Sequence, residues 1–194
     1  MAKLIGFTGA HGTGKSTVLN ALASRNLPNV VIDTFSVSRS VQADYGKPLS
    51  DIVAVAANVP EYQNRIRQHK AEHIASLQQQ YSDDYLIFTD RTPIDFYAYA
   101  KLWAQQNAMD GQWVIDYRNQ CARDMVAYSK VFFVPPRKFP FVAELERASK
   151  ETQTTHHEFC KDFIRTSARP FKMVTPIAVD QRVDFCLKHI EGLR

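Results

Sequence analysis

The sequence predicts an α/β fold, a three-layer sandwich around a parallel five-stranded sheet. Short apolar runs alternate with helical patterns along the whole chain of 194 residues. That alternation marks parallel strands joined by helical crossovers. The first unit also holds a glycine-rich turn, Gly9-Ala10-His11-Gly12-Thr13-Gly14-Lys15-Ser16, between an apolar run and a helical pattern. This is the strand–loop–helix order of a βα unit. A chain of this length forms a full core as one domain, here residues 1–194.

Each element has its own signal. The run Leu4-Ile5-Gly6-Phe7 places a strand over 3–8, and Thr17 to Ala23 lie in a helix from about 14 to 25. Asn26-Leu27-Pro28-Asn29 ends that helix. Val30-Val31-Ile32 is a short second strand that runs into the polar segment Asp33 to Ser40. After the turn Gly46-Lys47-Pro48, the small apolar stretch Ile52 to Val59 reads as a buried helix. Pro60 suits the first turn of the next helix, about 61–81.

Tyr85-Leu86-Ile87-Phe88-Thr89 is the clearest central strand. Pro93 to Gln106 follows as a helix with Ile94, Tyr97, Ala98 and Leu102 on one side. Its Phe96, Tyr97, Tyr99 and Trp103 read first as core, with one ring available to stack on a base. Met109-Asp110-Gly111 breaks the pattern before a helix over about 112–128. Val131 to Val134 is a buried strand stopped by Pro135-Pro136. Then come a polar stretch, a helix over about 155–167, a strand over 171–175 and a closing helix over 180–192.

The glycine-rich turn fits G-x-x-x-x-G-K-[ST] at every fixed position. Gly9, Gly12 and Gly14 let the backbone curl so that N–H groups point at phosphate oxygens. The helix behind them adds its positive end. Lys15 can reach β- and γ-phosphates, and the Ser16 hydroxyl can ligate Mg²⁺. With Ala10, His11, Thr13 and Thr17, residues 9–17 form the expected ATP-binding set. A turn that binds nothing would not need this spacing.

Further candidates lie where strands end, the edge at which open α/β sheets bind ligands. Asp90-Arg91 closes the central strand, the arrangement that brings a carboxylate near Mg²⁺ in a phosphate-loop site. Asp90 is thus a candidate metal and catalytic residue, either positioning Mg²⁺ or taking the acceptor proton. Arg91 can fork onto a phosphate or carboxylate. The plainer alternative is that both cap the helix opening at Pro93. Ser36 and Arg39, past the second strand, are candidates for acceptor contact, as is Gln63. Most polar residues of the 61–81 helix are expected to face solvent. Asp95 is explained by the helix dipole.

The polar stretch over about 135–155 reads as a lid that closes over the phosphates and excludes water. Arg147 is its candidate catalytic arginine, and Arg137, Lys138 and Lys150 read as solvated. His156-His157 lack the companions of a metal site and read as surface or helix-start residues.

Composition narrows the class. The formal net charge is +4, compatible with polyanionic partners or bound phosphates. Three scattered cysteines, with no C-x-x-C pair, argue for reduced thiols in a cytoplasmic protein. No apolar run approaches the ~20 residues of a membrane span. The chain enters a strand at once, so no signal peptide is expected.

With these residues in place, the chain resembles the P-loop kinases of nucleosides and nucleotides. The resemblance rests on residues 9–16, Asp90-Arg91 at a strand end, the helix from Pro93 to Ala100, and the lid-like stretch with Arg147. Asp90-Arg91 followed by Ala98-Tyr99 is similar to the thymidylate kinases, whose pattern is DR[YFW] and then AY. Thr92 stands where that family has an aromatic residue. The run Asp-Arg-Thr-Pro-x-Asp-x-x-Ala-Tyr is similar to small phage and bacterial kinases grouped with nicotinamide riboside kinase-like ATPases. One branch related to thymidylate kinases phosphorylates 5-hydroxymethyluracil units within phage DNA. The basic pI of about 9.0, the missing aromatic and the arginine-bearing loops fit that branch. The resemblance implies ATP and Mg²⁺, a homodimer as the default for small kinases, and a host cytoplasm if the chain is phage-encoded.

The first functional reading is therefore transfer of the ATP γ-phosphate to a nucleoside, a nucleotide or a modified base in DNA. A nucleotide switch or motor-type ATPase is a reading from another class. The short chain and the lack of an N-K-x-D motif weigh against it. A DNA-binding module without catalysis leaves the phosphate loop unexplained.

Overall fold

Leu4 and Ile5 are neighbours in sequence but join different cores. A strand sends successive side chains to opposite faces, so one apolar run serves two layers. The computed structural model describes residues 1–136, 149–167 and 171–193. Its strands are β1 (Lys3–Thr8), β2 (Val30–Asp33), β3 (Leu86–Asp90), β4 (Tyr128–Phe133) and β5 (Phe171–Met173). All pair in parallel, in the order β2-β3-β1-β4-β5.

Ile5, Phe7, Leu86, Phe88 and Phe132 face α1 (Lys15–Ser24) and α8 (Val179–Lys188). Phe7 is fully buried, its ring centre 5.3 Å from that of Phe132 and 6.3 Å from that of Phe88. Each such ring contributes roughly 1.5–3 kcal/mol by leaving water. Leu4, Ile87, Val131 and Phe133 face the other layer. That layer holds α2 (Val37–Tyr45), α3 (Leu49–Val53), α4 (Asn58–Gln80), α5 (Pro93–Gln106), α6 (Gly111–Asp124) and α7 (Lys150–Arg165). The expected three-layer α/β sandwich with a parallel five-stranded sheet is the fold.

Among the element boundaries that differ from expectation, three bear on the core and the site. The stretch 52–59 is not one helix: α3 ends at Val53 and Val55 is exposed. Its alanines bury little area, while Ile52 and Val59 are buried in the core and Val53 packs partly buried against it. β4 starts at Tyr128, whose ring is buried although Ser129 and Lys130 follow it. α7 starts at Lys150, inside the stretch read as a lid, because the Ser149 side chain accepts the Thr152 N–H and caps it. Residues 150–155 of that stretch are therefore helical. Arg137, Lys138 and the candidate Arg147 lie outside the described residues.

The strand order sets the site. From β1 the chain leaves through α1 to β2, beyond β3, and later returns on the other side with β4. The loop after β1 therefore opens at a point where the connections diverge, the crevice where such sheets bind ligands.

Candidate functional site

The register pairs Phe7 with Asp90, so the end of β3 stands beside the start of the phosphate loop. Gly9 and Gly14 of the loop hold positive φ, and Gly9 is also closed in by backbone. Gly9 has φ +138°, and a Cβ there would lie 2.3 Å from the Val134 carbonyl oxygen. Gly14 has φ +88° at the N-cap of α1, and a Cβ would lie 2.8 Å from the Arg182 guanidinium.

Side chains from three helices hold the outer polar groups of the loop. Asp95 of α5 accepts the Gly9 N–H at 3.1 Å. Gln153 of α7 donates to the His11 carbonyl at 2.7 Å. Arg182 of α8 donates to the Thr13 carbonyl at 3.3 Å and to the Pro176 carbonyl at 3.1 Å. Buried backbone groups need such partners, and these leave the inner face of the loop for a ligand.

Lys15 is buried, and its Nζ donates to the Gly9 carbonyl at 2.6 Å and the Ala10 carbonyl at 2.8 Å. Burial, and then the Arg91 charge, lower its pKa to about 8. Ser16 Oγ donates to Asp90 Oδ2 at 3.1 Å. Asp90 Oδ1 is buried with no hydrogen-bond partner among the described residues. A hydroxyl beside an orphaned carboxylate oxygen is a donor set that fits a hard cation such as Mg²⁺.

Arg91 sits in left-handed backbone, φ +67°, where non-glycine residues are rare. Its N–H donates to the Phe7 carbonyl at 3.0 Å. Its Nη1 donates at 3.0 Å to both the Gly9 carbonyl and Asp95 Oδ1, and Nη2 donates to the Tyr99 hydroxyl at 3.4 Å. Burial works against its charge, but Tyr99, Asp95 and Asp90 outweigh that and its pKa is raised.

The loop opens into a cavity of about 470 Å³. His11, Gly12, Gly14, Lys15, Ser16 and Thr17 line one end, while Gly9, Ala10 and Thr13 of the expected set are not among its lining residues. Asp90 and Arg91 line it between the ends. The three expected acceptor contacts, Ser36, Arg39 and Gln63, line the cavity past β2 and along α4, with Phe35, Tyr62, Phe96 and Trp103, and the Tyr99 ring lies against Arg91. Arg39 is exposed and forms no ion pair among the described residues. Gln63, the polar residue of its helix named as a candidate for acceptor contact, is buried. The Tyr117 hydroxyl donates to Gln63 Oε1 at 3.1 Å and to the Gln63 carbonyl at 2.8 Å. Gln63 Nε2 has no hydrogen-bond partner among the described residues.

Asp33 anchors the acceptor-side loop from behind. It accepts from Lys70 at 3.0 Å, from the Thr89 hydroxyl at 2.6 Å and from the Phe35 N–H at 3.0 Å, and meets His73 Nε2 at 2.9 Å. Burial alone would raise its pKa, but Lys70, Thr89 and His73 outweigh that and hold the carboxyl below its ordinary value.

His156 is fully buried, not a surface residue, and His157 is half-buried and stacked on Phe133. Burial, and then the Arg91 charge, hold His156 well below its ordinary pKa, so it is neutral. Its ligand atom lies within 4.8 Å of those of Asp95 and Cys160. Asp95 already accepts from Gly9, Arg91 and Thr92, and burial pushes the Cys160 thiol up, so these three groups suit packing and not a metal.

Sequence reasoning missed the roles of Asp95, Gln153, Arg182 and Tyr117. Asp95 had a signal, the Thr-Pro-Ile-Asp spacing of a capping box. Gln153 and Arg182 had none, since they meet the loop across 142 and 169 residues of chain.

A family model described as an AAA domain matches residues 4–182. A comparison with curated proteins finds no match. Solved structures share the fold at low identity. A deoxyadenosine kinase from M. mycoides, with products dCMP and dCDP bound, is 18% identical with a TM-score of 0.67, covering 97% of this chain and 99% of its own. A NadR protein in complex with NR is 12% identical with a TM-score of 0.70, and this chain spans 50% of its length and is covered in full. A thymidylate kinase from Ehrlichia chaffeensis is 15% identical with a TM-score of 0.64, covering 98% of this chain and 99% of its own. The fold is that of P-loop nucleoside and nucleotide kinases.

Proposed function

The chain belongs to the AAA-domain family whose model spans residues 4–182, and we propose that it is an ATP-dependent kinase acting on a free nucleoside or nucleotide. One observation carries this reading. A single cavity has a phosphate loop at one end and an aromatic, amide-bearing pocket at the other, with Asp90 and Arg91 between. A site that only hydrolysed ATP would have no use for the second end. The deoxyadenosine kinase and thymidylate kinase among its structural neighbours support an acceptor of this class.

The loop amides and Lys15 bind the donor phosphates, with Lys15 exchanging its loop carbonyls for phosphate oxygens. Ser16 and Asp90 would hold Mg²⁺. Bound there, Mg²⁺ would supply positive charge against the donor phosphates. Asp90 is also the one carboxylate lining the cavity among the described residues, which supports the alternative role of taking the proton of the acceptor hydroxyl. Arg91 faces the same space and stabilises negative charge as the phosphoryl group moves. Gln63 Nε2 offers a hydrogen bond to an acceptor base, and the surrounding rings offer it a stacking face and keep water out. Arg39 is placed to meet the acceptor's own phosphate, if it has one.

The test is transfer of labelled γ-phosphate from ATP to a panel. It holds free nucleosides, nucleoside monophosphates, nicotinamide riboside, and DNA with and without hydroxymethylated pyrimidines. Label on a small acceptor is the expected result. Label confined to modified DNA, or phosphate released without any acceptor, would overturn it.

A further inference from the structure

Asp95 is fully buried and does not line the cavity, yet its carboxylate meets both halves of the site. Oδ1 accepts the Gly9 N–H at 3.1 Å and Arg91 Nη1 at 3.0 Å. Oδ2 accepts the Thr92 N–H at 2.9 Å and lies 3.4 Å from the Thr92 hydroxyl, which donates to it. Arg91 Nη1 closes the figure by donating to the Gly9 carbonyl at 3.0 Å. The peptide groups on both sides of the first loop glycine are thus tied to the pair Asp95 and Arg91, across 86 residues of chain.

Helix capping accounts for Oδ2 alone. It gives no reason for Oδ1 to reach the loop. Remove Oδ1 and two donors lose an acceptor at once: the Gly9 N–H and one arm of Arg91. Left-handed backbone at Arg91 means that the guanidinium is not aimed by ordinary helix geometry. Its direction is set by what holds it, and the full charge holding it within this ring is Asp95.

We propose that Asp95 is a positioning residue that registers the phosphate loop against Arg91, so that donor phosphates and the charge-stabilising arginine are placed by one carboxylate. This rests on the kinase reading and adds to it a residue that touches neither substrate. An uncharged amide cannot replace it. In Asp95→Asn the side-chain NH₂ would have to face either the Gly9 and Arg91 donors or the Thr92 donor, since each carboxylate oxygen already serves donors.

The test measures binding of a non-hydrolysable ATP analogue by calorimetry, and turnover, in Asp95→Asn, Asp95→Ser and Thr92→Ala. Thr92→Ala removes the hydroxyl that accepts the Ile94 N–H and donates to Asp95 Oδ2, and keeps the Thr92 N–H and both Oδ1 contacts, so it reports the loss of that hydroxyl without loss of the loop contact. Asp95→Ser places a smaller acceptor in the same space and serves if Asp95→Asn does not fold. The Asp95 variants are expected to bind the analogue about tenfold or more weakly, the scale of losing a charged hydrogen-bond acceptor. Thr92→Ala is expected to lower the melting temperature and keep analogue affinity within about twofold. Wild-type affinity and turnover in a folded Asp95 variant would overturn the inference, as would an equal loss of affinity in Thr92→Ala. If the wild-type chain binds no analogue, the kinase reading itself falls and takes this inference with it.

Discussion

Ser16 Oγ donates to Asp90 Oδ2 across 3.1 Å, joining the first turn of α1 to the last residue of β3. The two residues are 74 positions apart and meet because β1 and β3 are paired neighbours. Asp90 Oδ1, buried and without a partner among the described residues, is the atom this contact leaves over. Removing either side chain should therefore act on the metal requirement before it acts on the fold. Ser16→Ala is expected to raise the Mg²⁺ concentration for half-maximal transfer by about 10–100-fold. Asp90→Asn is expected to lower kcat by about 10²–10³-fold. Mg²⁺ titration of transfer checks both, and an unchanged requirement in Ser16→Ala would remove Ser16 from the metal site.

Lys15 supplies a pH dependence with a definite sign. Its folded-state pKa is about 8, below the ordinary value of 10.5, because burial and then Arg91 disfavour the charge. Between those values the unfolded chain binds the proton and the folded chain does not. Protein stability from this group therefore rises with pH through that window. Donor affinity should move the opposite way, since only the protonated lysine attracts phosphate. Binding of an ATP analogue is expected to weaken as pH rises past about 8, and to lose that inflection in Lys15→Ala. Lys15→Ala should also abolish transfer with the fold kept. Analogue affinity in the wild-type chain that stays flat from about pH 7 to about pH 9 would count against the role.

Gln63 is expected to select the acceptor without touching the donor. Its Oε1 is held by Tyr117, and its Nε2 has no partner among the described residues. Gln63→Leu keeps the volume, and Tyr117 retains the Gln63 backbone carbonyl at 2.8 Å, so the fold should survive. The acceptor KM is expected to rise about 10–100-fold, the scale of one lost polar contact in a buried site. KM for ATP should stay within about twofold of the wild-type value, as for a contact the donor does not share. Steady-state kinetics with each substrate varied in turn separates the two.

How far the sequence could reach follows from what each residue depends on. The phosphate loop was legible because its chemistry is local: glycine spacing, lysine and serine sit within one short unbroken stretch, residues 9–16. The sandwich was legible because short apolar runs, such as Leu4 to Phe7, alternate with helical patterns along the whole chain. Asp90 was legible as the end of an apolar run. Asp95 was seen and under-read, since a capping aspartate looks the same in sequence whether or not its second oxygen reaches a loop. Gln63 could be named, but its burial could not, because that depends on Tyr117, 54 positions away. Gln153 and Arg182 act only through tertiary approach, and no local pattern marks them.

Arg39 distinguishes a nucleoside acceptor from a nucleotide one. It lines the cavity, is exposed and has no ion-pair partner among the described residues. Arg39→Ala should change stability by no more than about 0.5 kcal/mol. If the acceptor carries a phosphate, its KM should rise about tenfold or more, the scale of a lost charged hydrogen bond. If the acceptor is a nucleoside, its KM should barely move. Chemical denaturation together with acceptor kinetics reads both effects from one variant.

Gly9 and Gly46 give a matched test of why the loop needs glycine. Both have positive φ, +138° and +59°. A Cβ on Gly46 would meet nothing within 4 Å, whereas a Cβ on Gly9 would lie 2.3 Å from the Val134 carbonyl oxygen. Gly46→Ala therefore carries only the left-handed backbone penalty, roughly 1–2 kcal/mol. Gly9→Ala adds a backbone clash that no rotamer change can relieve, roughly a further 1–3 kcal/mol. It also moves the two peptide groups that flank Gly9, one held by Asp95 and the other by Lys15 and Arg91. Gly46→Ala is expected to transfer phosphate at the wild-type rate with a slightly lowered melting temperature. Gly9→Ala is expected to lose more stability and nearly all transfer. Equal melting temperatures and equal activity in the two variants would show that the close approach of Gly9 to Val134 is not what fixes the loop.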